Sequence, residues 1–286
     1  MKDSWTSETL YADIELKLKV QKKLYSSNSS LQKIEFLKTY RFGTALIMDG
    51  AIQTTAEDEF IYHEMMSHIP LFSHPSPENI IIVGGGDGGI LREVLKHKVV
   101  KKVTLVEIEE KVIEQTKEYL PQICKDAFKS KRLELVIADG AGLIKGKKKI
   151  YDIAIIDSPD PIGPAKVLFK NNFYRNISKI LKNNGIMVRQ SGSSFLQKEE
   201  LKDNYKRLSK IFKYTDAYIV AIPTYIGGFF NLIFASDKIN IKSLSLTVIK
   251  KRFLKTNIKT EYYNPEIHLA SFKLPNYIKK LTGDRK

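Results

Sequence analysis

Two aspartates three residues apart, Asp157 and Asp160, lie in Asp157-Ser158-Pro159-Asp160-Pro161, directly after the apolar run Ile153 to Ile156. Carboxylates at that spacing beside a strand end form a site for cationic groups, and the prolines expose the segment rather than letting a helix begin. An acidic, partly desolvated pocket of this kind can bind an amine, orient one nitrogen and take its proton. An alkylamine with the pKa of lysine, ~10.4, lies about 3.4 units from neutrality at pH 7, so deprotonating it costs roughly 4.6 kcal/mol. Asp157 is the expected proton acceptor, with Ser158 and Asp160 beside it in the acceptor pocket. Tyr62 or Tyr225 is expected to hydrogen-bond the attacking nitrogen, and His63 to contact an amine.

A second constellation supplies a nucleoside site. Val83-Gly84-Gly85-Gly86-Asp87-Gly88-Gly89 follows the apolar run Ile80 to Val83 and precedes an amphipathic segment from Ile90. Glycines there allow a tight turn and close approach to a ligand. Glu107 ends the next apolar run, about 20 residues on, where a carboxylate accepts from ribose hydroxyls. Asp139-Gly140 ends a third run, where the aspartate can accept from an adenine amino group while the glycine gives room. Asp87 inside the loop would repel a pyrophosphate, which argues against a dinucleotide. It suits a cation such as decarboxylated S-adenosylmethionine, which carries a sulfonium and a primary ammonium but no carboxylate. A methyltransferase using intact S-adenosylmethionine stays open, since fold does not fix function.

The elements that must hold these residues are legible in outline. Asp13 to Leu24, Leu31 to Leu37 and Thr44 to Met48 alternate apolar and polar residues, and Asp49-Gly50 marks a hairpin turn. From Glu57 the pattern becomes helical and then alternates strands with helices, as in βαβ units with a parallel sheet. Ala217 to Ile222 and Phe229 to Phe234 read as an antiparallel pair closing that sheet. The expected fold is therefore α/β, with a small antiparallel β domain at 1–56 and a Rossmann-like catalytic domain at 57–286. The chain has 286 residues, 43% hydrophobic, and a single cysteine, Cys124, which excludes an intramolecular disulfide. No signal-peptide pattern opens it and no apolar run nears ~18 residues, so a cytoplasmic location and no membrane partner are expected. The net charge of +15 raises a nucleic-acid reading. The lysines, however, are scattered and do not interleave with aromatics as a base-stacking surface would. No nucleic-acid partner is expected, and a locally negative cleft is expected to override the global charge.

In combination these stretches resemble the spermidine synthase family of polyamine aminopropyltransferases. The likeness runs through Met48 to Thr55, Asp58 to Glu64, Gly84 to Gly89, Val106-Glu107-Ile108, Asp139-Gly140, Asp157 to Ala165 with Leu168-Phe169, and Ile222 to Tyr225. The resemblance implies an N-terminal β domain before a methyltransferase-type open sheet with helices on both faces, assembled as a homodimer or homotetramer. It implies aminopropyl transfer from decarboxylated S-adenosylmethionine, a co-substrate, to putrescine, without cofactor or metal. Gln32 would line the nucleoside side, His63 and Asp87 would hold the aminopropyl amine, and Pro164 would contact the thioadenosine. Glu107 would take the ribose, and Asp139 with Gly140 the adenine. Asp157 would accept the proton and Asp160 help bind the acceptor. Tyr62, Gln53 and Tyr225 would complete the amine channel. Pro159, Gly192, Ile226-Gly227-Gly228 and Phe230 depart from the family pattern. All border the acceptor end, so agmatine, cadaverine and spermidine remain rival acceptors.

Overall fold

The computed structural model describes residues 4–159 and 163–283, with backbone alone at 163 and 164. The first sheet has five antiparallel strands in sequential order: β1 (Ser4–Ser7), β2 (Lys17–Asn28), β3 (Lys33–Thr39), β4 (Thr44–Met48) and β5 (Ala51–Thr55). Asp49 and Gly50, both at positive φ, make the tight β4–β5 turn, as an Asp-Gly pair favours. The long strand starts at Lys17 rather than Asp13, and β1 pairs with it although its four residues carry no readable alternation. After β5 comes α1 (Glu59–Ser73), nearly all of it buried.

The second sheet has seven strands. Its parallel part is β6 (Asn79–Gly84), β7 (Lys102–Glu107), β8 (Leu133–Ile137), β9 (Tyr151–Asp157) and β10 (Leu181–Ser193). Then β11 (Tyr214–Ala221) and β12 (Phe229–Ser236) add an antiparallel pair, as expected, giving the order β11-β12-β10-β9-β6-β7-β8. The helices are α2 (Gly89–Lys96), α3 (Glu110–Tyr119), α4 (Pro121–Cys124), α5 (Gly140–Ile144), α6 (Asn171–Ile180), α7 (Lys198–Leu208), α8 (Leu246–Leu254), α9 (Pro265–Ala270) and α10 (Asn276–Thr282).

Strand periodicity divides the core. Ile80 and Ile82 of β6 face the layer built on α1, α2 and α8, whereas Ile81 and Val83 face the layer of α5, α6, α7 and α10. Both faces are covered, so β6 reads as an unbroken apolar run rather than an alternating one. Each such fully buried side chain contributes about 1.5–3 kcal/mol of transfer free energy. The first sheet packs Ile34, Phe36 and Leu46 against Val112 of α3 and Ile123 of α4, which seats it beside the strand ends. Cys124 is buried and packs as a small hydrophobe. Among the described residues no helix is long and apolar enough to cross a membrane.

The order of the parallel strands reverses between β6 and β9, the place where open α/β sheets bind ligands. In register there, Gly84 pairs with Asp157.

Candidate active site

At that switch point a cleft of about 300 Å³ opens, and one set of residues lines it: Gln32, Gln53, Tyr62, His63, Asp87, Glu107, Asp139, Gly140, Asp157, Ser158 and Tyr225. These are the expected site residues. Asp160 and the side chain of Pro164 lie outside the described residues.

The glycine loop exists to let β9 in as much as to admit a ligand. Gly84 has φ +85°, and a Cβ there would stand 1.8 Å from the Asp157 carbonyl oxygen. Gly89, which opens α2, leaves space for the His63 ring, which an added Cβ would meet at 2.2 Å. Asp87 accepts the Gly89 N–H at 2.8 Å through Oδ1, and its Oδ2 faces His63 Nε2 at 3.3 Å.

Asp157 Oδ1 accepts the Tyr62 hydroxyl at 2.6 Å. Burial pushes the Asp157 carboxyl up, the Asp87 charge adds to the rise, and the Tyr62 hydrogen bond and His63 oppose it, leaving it at about 6. A carboxylate so tuned is ionised near neutrality yet more basic than an ordinary aspartate. Tyr225 lies next to Tyr62, but its hydroxyl donates to the Gln53 carbonyl at 2.5 Å. Of the two tyrosines expected near the attacking nitrogen, Tyr62 is therefore the one bonded to Asp157. The Ser158 hydroxyl is buried with no hydrogen-bond partner among the described residues.

On the nucleoside side, Glu107 accepts Ile108 N–H at 2.8 Å and Glu109 N–H at 3.0 Å on Oε1, and Gly86 N–H at 3.1 Å on Oε2. Burial nevertheless lifts it to about 7 against those three donors. Asp139 caps α5, accepting from Ala141 N–H at 3.1 Å and Gly142 N–H at 3.0 Å. Gln32 closes the β2–β3 turn, its carbonyl accepting the Ser29 N–H at 2.9 Å.

His63 lines the cleft with its ring held on two sides. Its Nδ1 is paired with Glu59 and its Nε2 with Asp87, so both ring nitrogens face carboxylates of the protein. Burial works against its charge, but Asp87 and Glu59 outweigh burial and raise it to about 10.

Three residues at or beside the site carried no signal for the part they play, although Asp58 opens a stretch that bears the family likeness. Glu8, from the segment after β1, lines the cleft and accepts the Ile52 N–H at 3.0 Å. Asp58 receives the Thr55 hydroxyl at 2.6 Å and both the N–H and hydroxyl of Thr224, at 2.9 and 2.7 Å, fixing the segment that carries Tyr225. Gln190 donates to the Ser158 carbonyl at 2.9 Å and braces the segment after Asp157. Each acquires its meaning from a partner far away in sequence; Asp58 and Thr224 are 166 residues apart.

The switch-point cleft thus sets acidic side chains against a glycine loop at the ends of parallel strands, the layout of a small-molecule site in an open α/β sheet. The family model for the spermine/spermidine synthase domain matches residues 59–245, and that for the spermidine synthase tetramerisation domain matches residues 4–56. The chain belongs to the spermine/spermidine synthase family, the polyamine aminopropyltransferases. It is 41% identical over 280 residues to a polyamine aminopropyltransferase of Ruegeria sp. (strain TM1040), covering 98% of this chain and 99% of the relative. To polyamine aminopropyltransferase 1 of Bacillus cereus it is 42% identical, covering 96% and 97%. Among solved structures, a spermidine synthase in complex with the transition-state analogue AdoDATO superposes with a TM-score of 0.95 at 38% identity, covering 100% of this chain and 97% of the other. The spermidine synthase of Thermotoga maritima superposes at 0.92 with 36% identity, covering 100% and 96%. The resemblance read from the motifs and the fold class expected from them both stand.

Proposed function

We propose that this chain transfers the aminopropyl group of decarboxylated S-adenosylmethionine to putrescine, releasing methylthioadenosine and spermidine. The observation that carries the reading is the pair of acids at one strand junction: Asp87 in the donor loop and Asp157 at the end of β9, both on the cleft wall. Glu107 binds the ribose hydroxyls through Oε2, Asp139 and Gly140 border the adenine, and Gln32 and Pro164 close the nucleoside side. Asp87 holds the donor's ammonium. Asp157 takes the proton of the attacking amine, helped by Tyr62, as the new N–C bond forms and the C–S bond breaks, its electron pair leaving on sulfur. Ser158, Gln53, Asp160 and Tyr225 bound the acceptor channel. Glu8 supplies the anionic partner that the diamine's remote, still protonated nitrogen requires. The sulfonium is already an activated leaving group, so the transfer calls for neither cofactor nor metal. We further propose that 1–56 and 57–286 act as two units, the first roofing the cleft and joining copies into a homo-oligomer. The match of residues 4–56 to a tetramerisation domain supports this.

The test is a product assay with decarboxylated S-adenosylmethionine against putrescine, cadaverine, agmatine and spermidine. Methylthioadenosine should form fastest with putrescine. Faster turnover with another amine replaces the acceptor, and methyl transfer from intact S-adenosylmethionine without aminopropyl transfer overturns the donor.

A further inference from the structure

Arg189 of β10 is fully buried, and no carboxylate pairs with it among the described residues. Its Nε donates to the Gln190 carbonyl at 2.8 Å, and its Nη1 to the Leu168 carbonyl at 3.2 Å and to the Tyr174 hydroxyl. Its Nη2 has no hydrogen-bond partner among the described residues. The guanidinium lies over the Phe169 ring, 4.0 Å from its centre. Arg207 of α7 grips the same stretch, donating to the Phe169 carbonyl at 2.5 Å. Burying a cation away from carboxylates is costly, and a buried charge is weak evidence for stability. The partners of Arg189, rather than its burial, say what it is for.

We propose that Arg189 is a positioning residue for the nucleoside side of the cleft, fixing Leu168 as a wall opposite Asp139 and Gly140. Ala165, Val167 and Leu168 line the cleft, as Asp139 and Gly140 do. Leu168 packs on the same apolar cluster as Ala138 and Ala141, the residues that flank Asp139 and Gly140. Arg189 thus acts where chain from the β9–α6 connection meets the start of α5. A guanidinium suits the task because it is planar: its edge donates to a carbonyl while its face stacks on a ring. An ammonium has no such face. The next residue of β10, Gln190, points to the opposite face of the sheet and donates to the Ser158 carbonyl at 2.9 Å. Successive residues of one strand therefore hold separate parts of the cleft wall. Gln190 steadies the part beside Asp157, and Arg189 the part beside the nucleoside loop. A side chain that locks such a wall acts on binding without touching the ligand.

This inference rests on the proposed nucleoside donor, and methylthioadenosine binding, measured by calorimetry, separates the two. A wild-type chain that does not bind methylthioadenosine overturns the donor and this inference with it. Given wild-type binding, Arg189→Met should raise the methylthioadenosine Kd and the donor KM about tenfold, the scale of one charged hydrogen bond. The putrescine KM should change by less than about twofold, because Gln190 still holds the acceptor side. Arg189→Lys, which keeps the charge but neither the fork nor the stacking face, should recover only part of the lost affinity. A folded Arg189→Met protein with the wild-type Kd overturns the inference alone, and so does one in which the Kd and the putrescine KM rise alike. If Arg189→Met does not fold, Phe169→Leu decides, since it removes the ring under the guanidinium but keeps an apolar side chain. It should show the same split between donor and acceptor, and an unchanged Kd there overturns the inference.

Discussion

The Asp157 carboxyl accepts the Tyr62 hydroxyl while sharing the cleft with Asp87, and its rise to about 6 has two consequences. For catalysis, the base must be ionised, so kcat/KM should climb with an inflection near pH 6. Replacing Asp157 with Asn should lower kcat by about 10²–10⁴-fold while methylthioadenosine binding, measured by calorimetry, stays nearly intact; full activity would remove Asp157 from the mechanism. For stability the sign runs the other way. The folded chain holds this proton more tightly than the unfolded chain does, so stability is lost as pH rises from the ordinary aspartate value of 3.8 to about 6, and the loss persists above it. The Asn variant escapes that loss. Its melting temperature at about pH 8 should exceed the wild type's by about 2–4 °C, the gain vanishing near pH 4. The residues of this site were largely legible because their types and offsets are demanding: an acid inside a glycine run, an acid about 20 residues on, two acids between prolines. Glu8 and Gln190 were not, because an isolated acid or amide has no local signature, and the bracing role of Asp58 was not, because Thr224 reaches it only through the tertiary fold.

The strand junction of β6 and β9 is the element on which the site depends most directly. Gly84→Ala would combine a left-handed backbone at φ +85° with a Cβ 1.8 Å from the Asp157 carbonyl oxygen. It should destabilise the chain by more than about 3 kcal/mol in urea unfolding; a cost under about 1 kcal/mol would mean that β9 can retreat freely. The junction was readable because buried parallel strands appear as short unbroken apolar runs, and Ile80 to Val83 and Ile153 to Ile156 are such runs. Helix α7 was harder: only Leu201, Asn204 and Leu208 of its eleven residues are buried, a thin stripe in a charged segment. The stretch after Lys259 was harder still. Its backbone is anchored by Glu64, which accepts N–H bonds from Glu261, Tyr262 and Tyr263 at 2.8, 2.9 and 2.7 Å. No local pattern announces an anchor almost two hundred residues away.

Across the whole molecule the net charge is +15, yet the proposed substrates are cations. Raising ionic strength from about 0.01 to about 0.15 M shortens the Debye length from about 30 to about 8 Å. That screens the distant lysines more than the acids lining the cleft. The kcat/KM for the diamine should therefore rise, by about twofold, over this range; a steep fall would show that attraction reaches well beyond the cleft. At the same scale, three consecutive residues of α1 face three ways. Tyr62 meets the base, His63 meets the donor loop, and Glu64 meets the chain's far end. Successive helical residues are about 100° apart, so a small rotation of α1 would disturb all three engagements together. The C-terminal segment thereby serves as a detent on that rotation: it sets the angular position of the helix, and with it the aim of two side chains in a cleft it does not line.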